Sequence, residues 1–207
     1  DASQSVGKIQ TNVNLFGIDL LSIAGHKLYA PKGIGALYIK QGLRLAKFIH
    51  GASHEQDRRA GTENVLGIVG LGKACEIAER DLEKNVLHMK EMKDRMYNGL
   101  KDKLKDIRLN GHPEKRLPNT LSLSFRSVDV TELLSEIKDY IAVSAGTACH
   151  SVKTEISHVL KAMGVPIEYA KSTIRFSTGK MTTEKEIDKA INIIAHSINK
   201  KLKETRR

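Results

Sequence analysis

Four places along this chain of 207 residues carry side chains whose type and setting suit chemistry. In SIAGHKLYAPKGIGALYIK, an apolar, strand-like run ends in Gly25-His26-Lys27 and is followed at once by Pro, Lys and two glycines. A lysine there is either a solvated turn residue or an amine nucleophile. The second role needs an ammonium that loses its proton easily, through desolvation or a cationic neighbour, and His26 is adjacent. Cys149 stands in SAGTACHS, a run of small residues expected to form an exposed, adaptable loop. His150 beside it could contribute the positive charge that favours a thiolate. Cys75, in GLGKACEIA, has instead the aliphatic neighbours of a structural thiol. Arg175 lies inside the apolar pattern STIRFST. A buried guanidinium needs an anion, which is either a structural Asp or Glu or a bound carboxylate. The loop GASHEQDRRAGTEN holds His54, Arg59 and Gly61-Thr62 ahead of a helical pattern, where free backbone N–H groups suit a phosphate.

The elements that must position these residues follow from periodicity. Residues 1–50 read as short apolar strands between turns: FGIDLLSIAG, GALYIKQ and LAKFIHG. From Val65 to about Lys105 apolar residues recur at helical steps, with a break expected near Asn85. IRLNG and LPNTLSLSF then read as strands, VTELLSEIKDY as a short helix, and AVSAGTACHS as a strand running into a loop. EISHVLKAMG predicts a helix stopping at Gly164, STIRFSTG a strand, and TTEKEIDKAINIIAHSINKKLKE a closing amphipathic helix. Thr183 is its expected N-cap, with Glu186 as capping-box partner. The layout predicts the strand-rich end of one domain, a long linking helix and a second, compact α+β domain.

Composition narrows the function classes. The formal charge is +10, but basic residues are interleaved with acids along the helices and do not form a stripe with aromatics, which argues against a nucleic-acid surface. No apolar run approaches the roughly 20 residues that span a bilayer. Two cysteines without metal-ligand spacing give no disulfide framework and no metal site, and a cytoplasmic setting is the expectation. The polar start DASQSVGKIQ has no initiator Met, so a processed chain or a fragment is expected.

Six motifs follow one another in one order: DASQSVGKIQ, AGHKLYAPKGIGALYI, HEQDRRAGTEN, LPNTLSLSF, SAGTACHS and STIRFSTG. In this the chain resembles the NifS/IscS-type cysteine desulfurase family, class V aminotransferase-like enzymes that use pyridoxal 5'-phosphate (PLP). The SAGTACHS form is similar to that of the selenocysteine lyase branch. The resemblance covers essentially the whole chain. It implies the α/β, PLP-dependent transferase fold type I, with the C-terminal part of the large α/β domain over residues 1–82 followed by the small α+β domain with the Cys149 loop over residues 83–207. Family members are about twice as long, so the first half of the large domain is expected to be absent, and poor PLP affinity with it.

The resemblance also implies roles. Lys27 matches the lysine that holds PLP covalently, Asp1 the partner of the pyridinium nitrogen, and Gln4 a contact to the phenolic oxygen. His26 matches a phosphate contact, and Thr62 a phosphate ligand donated across a homodimer. Arg175 matches the substrate-carboxylate arginine, Asn119 in LPNT falls on the substrate side, and Cys149 matches the cysteine that takes the substrate sulfur as a persulfide. The implied reaction turns L-cysteine into L-alanine, with sulfur passed to an acceptor such as an iron–sulfur scaffold protein or used in tRNA thiolation. Mobility of the loop from Gly146 to Ile156 would suit that delivery. Two departures stand out: Ala24 replaces the serine of SGHK, and GASHE replaces a glycine-rich GGGHE or GGGQE. Selenocysteine as substrate, or a non-catalytic partner-binding module, are the alternatives.

Overall fold

The structure, a computed structural model, describes residues 1–145, 147–148 and 155–204. The chain divides into two compact units, Asp1–Asn85 and Val86–Arg207, each with a core of its own.

In the first unit, β1 (Leu20–Ala24) and β2 (Gly35–Ile39) pair antiparallel, from Leu20 opposite Ile39 to Ala24 opposite Gly35. Between them the chain makes a one-turn 3-10 helix, Gly25–Leu28, capped by Tyr29 at φ 69°. Helix α1 (Val65–Arg80) starts behind Asn64, whose side-chain oxygen accepts the Gly67 N–H at 3.0 Å, a standard N-cap. Leu28, Leu71 and Ala74 form a small core with Val6, Ile23 and Ile34 packed against it. The expected strand LAKFIHG does not form: residues 45–51 are irregular and Phe48 is 94% exposed. An apolar run becomes a strand only where a neighbour offers a ladder. Here the Ile49 carbonyl accepts a single loop bond, from the Ala60 N–H at 3.1 Å.

The long helical pattern breaks at Asp81, earlier than expected. Asp81 has φ −101° and ψ 11°, and its carboxylate receives two bonds from the Arg80 guanidinium, at 2.8 and 2.7 Å. A short acidic side chain competes with helical geometry, whereas Asn85 lies within α2 (Leu82–Lys103), its N–H bonded to the Asp81 carbonyl.

In the second unit, β3 (Ile107–Leu109), β4 (Thr120–Phe125), α3 (Val130–Ile137), β5 (Ser144–Ala145), β6 (Thr147–Ala148) and β7 (Glu155–Ile156) follow α2. Then come α4 (His158–Ala162), α5 (Ile167–Ala170), β8 (Thr173–Ser177) and α6 (Glu184–Glu204). The main sheet has the order β3-β4-β8-β5, every neighbour antiparallel. Alternation sorts its faces. Leu121, Leu123, Phe125, Ile174 and Phe176 join one core with Met92, Met96 and Leu100 of α2, Leu133 and Ile137 of α3, and Ile191, Ile194 and Ile198 of α6. The other face is polar. There a directed chain runs from Asn110 Nδ2 to Ser124 Oγ (2.8 Å), to Thr173 Oγ1 (2.7 Å), to the Tyr169 carbonyl (2.9 Å).

Helix α4 begins at His158, so the predicted helix loses its first residues: Glu155–Ile156 pairs with Thr147–Ala148 instead. Ile156 packs on the Leu160, Val165, Ala170 cluster, so tertiary pairing decides its state. Gly164, at φ 64°, ends the segment as expected. Thr183 and Glu186 form the reciprocal capping box: the Thr183 N–H donates to Glu186 Oε2 at 2.8 Å and the Glu186 N–H to Thr183 Oγ1 at 3.3 Å.

Candidate active site

Lys27 sits third in the Gly25–Leu28 turn and is half-buried, while His26 beside it is exposed. The tightness of the bend comes from Gly25. Its N–H donates to the Ile34 carbonyl at 3.0 Å, and an added Cβ would lie 2.8 Å from that same oxygen. The Tyr29 and Ala30 N–H groups both return to the Gly25 carbonyl.

Asp1 is fixed against the strand that feeds this turn. One of its carboxylate oxygens accepts from the Ser3 N–H (2.9 Å), Ser3 Oγ (2.6 Å) and Ser22 Oγ (2.7 Å). The Ala2 N–H adds a bond to the Ser22 carbonyl at 3.0 Å. Ser22 lies in β1, so the acid and the lysine are both placed by that one short strand. Gln4 is exposed on the turn that follows Asp1.

Thr62 is exposed, two residues before the α1 cap. The loop that leads to it is built on three successive left-handed residues, Glu55, Gln56 and Asp57, with φ of 48°, 61° and 63°. Such a conformation needs ties, and the loop has them. His54 Nδ1 donates to Glu63, 3.0 Å from either oxygen, and Arg59 donates to Glu55 (2.6 Å) and to the Gly61 carbonyl (2.8 Å). Asp57 takes Lys47 and Ser53. The Glu63 carboxyl is held below its ordinary value by its own backbone N–H and then by His54.

In the second unit Arg175 is not buried. It lies on the polar face of β8, opposite Ser122 and Ser144, and its Nη2 is 3.4 Å from Ser144 Oγ. Strand alternation, not an internal anion, accounts for an arginine between Ile174 and Phe176. Its guanidinium has no carboxylate partner among the described residues. It lines a cleft of about 500 Å³ with Ser122, His158, Val159 and Met163. Asn119 is buried, and its side chain is engaged locally: Nδ2 donates to the Thr178 carbonyl at 3.4 Å and Oδ1 accepts from Thr120 Oγ1 at 3.2 Å. Cys149 and His150 lie outside the described residues. Cys75 is half-buried and burial pushes its thiol pKa up, as befits an unreactive thiol.

Sequence reasoning passed over Ser3, Ser22, Glu63 and Lys8. The serines are too common to signal anything before the fold places them. Lys8 is one lysine among many until it is seen buried, with its Nζ 3.1 Å from the Lys27 carbonyl. Burial, and after it the charge of Lys27, lowers its pKa. No group of His, Cys, Asp and Glu among the described residues could hold a metal, and no helix there is long and apolar enough to cross a membrane.

The amine on its glycine-dependent turn and the carboxylate pinned to the strand before it lie in a chain whose fold is that of the PLP-dependent fold type I proteins, as the comparisons show. The sequence pattern of the class-V aminotransferases matches residues 1–190. The cysteine desulfurase IscS of Dictyoglomus turgidum is 43% identical over 201 residues, which is 97% of this chain and 51% of the relative. That of Klebsiella pneumoniae is 45% identical over 202 residues, 97% of this chain and 50% of the relative. Among solved structures, a NifS-like protein superposes with TM-score 0.86 at 36% identity, covering 96% of this chain and 51% of that one. The NifS-like protein of Rickettsia africae gives 0.87 at 30% identity, covering 96% and 52%. The chain belongs to the class-V aminotransferase family, which depends on PLP, and it spans about half the length of the curated relatives it matches. Two groups of the first unit fit that cofactor by their chemistry: the Lys27 amine suits an aldehyde, and the Asp1 carboxylate, oriented by Ser3 and Ser22, suits a protonated ring nitrogen.

Proposed function

We propose that this chain carries the Lys27 and Cys149 half of a PLP-dependent cysteine desulfurase, acting in the cytoplasm as a homodimer. The observation that carries the reading is the joint placement of Lys27 and Asp1 by β1 and the turn it enters. PLP, when bound, supplies an electron sink for the α-carbon of the amino acid. Lys27 would hold the aldehyde, and its amine is the group that would move the proton at the α-carbon. Asp1 would balance the charge of a protonated ring nitrogen, Gln4 would hold the phenolic oxygen, and His26 would donate to the phosphate, as would Thr62 of the second subunit. Arg175, with its guanidinium open on the polar sheet face, grips the substrate carboxylate, and Asn119 stands on the substrate side. The Cys149 thiolate attacks the substrate sulfur. A sulfur–sulfur bond forms, the carbon–sulfur bond breaks, and its electron pair is protonated on carbon to leave alanine. An iron–sulfur scaffold protein is the acceptor this scheme suits.

Borohydride reduction in the presence of PLP, followed by peptide mass mapping, tests the anchor. Modification at Lys27 is the expected result, and an unmodified Lys27 would sink the reading. Turnover on cysteine against selenocysteine then decides the substrate, with cysteine expected to be preferred.

A further inference from the structure

The Lys27 carbonyl lies outside the hydrogen-bond ladder of its own turn, because the Tyr29 and Ala30 N–H groups both go to Gly25. The end of a helical turn leaves such carbonyls in need of a donor, and a cation is the best one there. The structure supplies a buried ammonium. Lys8 is 9% exposed, and its Nζ lies 3.1 Å from the Lys27 carbonyl oxygen. Its own backbone is set by the turn before it, with Gly7 at φ 73° and the Lys8 N–H on the Ser5 carbonyl at 2.9 Å. A charged group gives up hydration to sit there, so the site is costly unless the bond returns something.

We propose that Lys8 is a positioning residue for Lys27: its ammonium closes the open end of the Gly25–Leu28 turn and thereby sets where the Lys27 side chain leaves the backbone. Burial first, and then the charge of Lys27, lowers the Lys8 pKa. The inference rests on the reading of Lys27 as the PLP anchor, and it concerns the backbone that aims that amine.

The test is amide hydrogen exchange on the PLP-free chain, with Lys8→Met removing the donor at similar length and Lys8→Arg restoring it. Loss of a charge-assisted bond opens the turn, so the Tyr29 and Ala30 amides exchange about tenfold faster or more in Lys8→Met, while α6 is unchanged. Lys8→Arg returns them toward wild type. Borohydride-fixed PLP on Lys27 falls about fivefold in Lys8→Met through lost aim, and recovers in Lys8→Arg. Unchanged exchange at Tyr29 and Ala30 overturns the inference. Faster exchange with undiminished fixation also overturns it, since Lys8 would then be only structural. Should Lys8→Met not fold, Lys8→Gln serves in the same comparison. A wild-type chain that fixes no PLP on Lys27 defeats the reading of that lysine, while the exchange still decides whether Lys8 holds the turn.

Discussion

At the residue scale, Lys27 is aimed by what lies around Gly25. A methyl group at Gly25 would stand 2.8 Å from the Ile34 carbonyl oxygen and 2.9 Å from Ile34 Cγ2, and the backbone oxygen has no way to yield. Gly25→Ala is therefore expected to cost about 1–3 kcal/mol, visible as a lower melting temperature together with reduced PLP fixation on Lys27. Arg175 is the opposite case. It is exposed, and among the described residues its one hydrogen-bond contact is to Ser144 at 3.4 Å. Arg175→Ala should leave stability within about 0.5 kcal/mol. If the side chain holds the substrate carboxylate, kcat/KM of the active enzyme falls roughly 10- to 100-fold, the equivalent of one charged hydrogen bond or ion pair. An equal loss of stability and activity would argue against that role.

At the element scale, α6 carries one wall of the second core, and its first turn depends on a charge. The Glu186 carboxyl is held below its ordinary value by the Thr183 backbone N–H and then by the Thr183 hydroxyl. Because the folded value is the lower one, the contribution is present above the unfolded carboxyl value and is lost as pH falls through the folded value. Amide exchange in the first turn of α6 should therefore quicken on acidification, beyond the intrinsic rate change, in the wild type and not in Glu186→Gln. The same scale explains Asp1: Ser22 of β1 orients it, so Ser22→Ala should loosen the Asp1 carboxylate without disturbing the second unit.

At the scale of the whole molecule, the two units differ in how well they cover their apolar surface. The core of Val86–Arg207 draws on α2, α3, α6 and four strands, with Leu133, Ile137, Ile174 and Ile194 wholly buried. Residues 86–207 produced alone should therefore melt cooperatively. Asp1–Asn85 has a main apolar cluster of just Leu28, Leu71 and Ala74, with Ala2 and Leu21 also buried, and it exposes Phe16, Phe48, Val65, Leu66 and Val69. A two-stranded sheet with such a surface is marginal alone. Residues 1–85 produced alone should bind a hydrophobic dye strongly and self-associate. A sharp, dye-free melt would contradict this account of where stability resides.

What the sequence determined by itself was local or carried by motif. Alternation in LPNTLSLSF and STIRFSTG, the helical period of α1, α2 and α6, the Thr183–Glu186 cap and the Gly164 stop depend on neighbours a few residues apart. The ordered motifs identified the family. What the tertiary structure alone decided depends on partners far along the chain. LAKFIHG has a strand's composition and finds no ladder, Glu155–Ile156 leaves a helical pattern to pair with β6, and Arg175 is set on the outer face by register with Ser122 and Ser144. Lys8 reaches across 19 residues to the Lys27 carbonyl, and Ser22 across 21 to Asp1. Burial and long-range pairing set those outcomes, and no local pattern of residues encodes them.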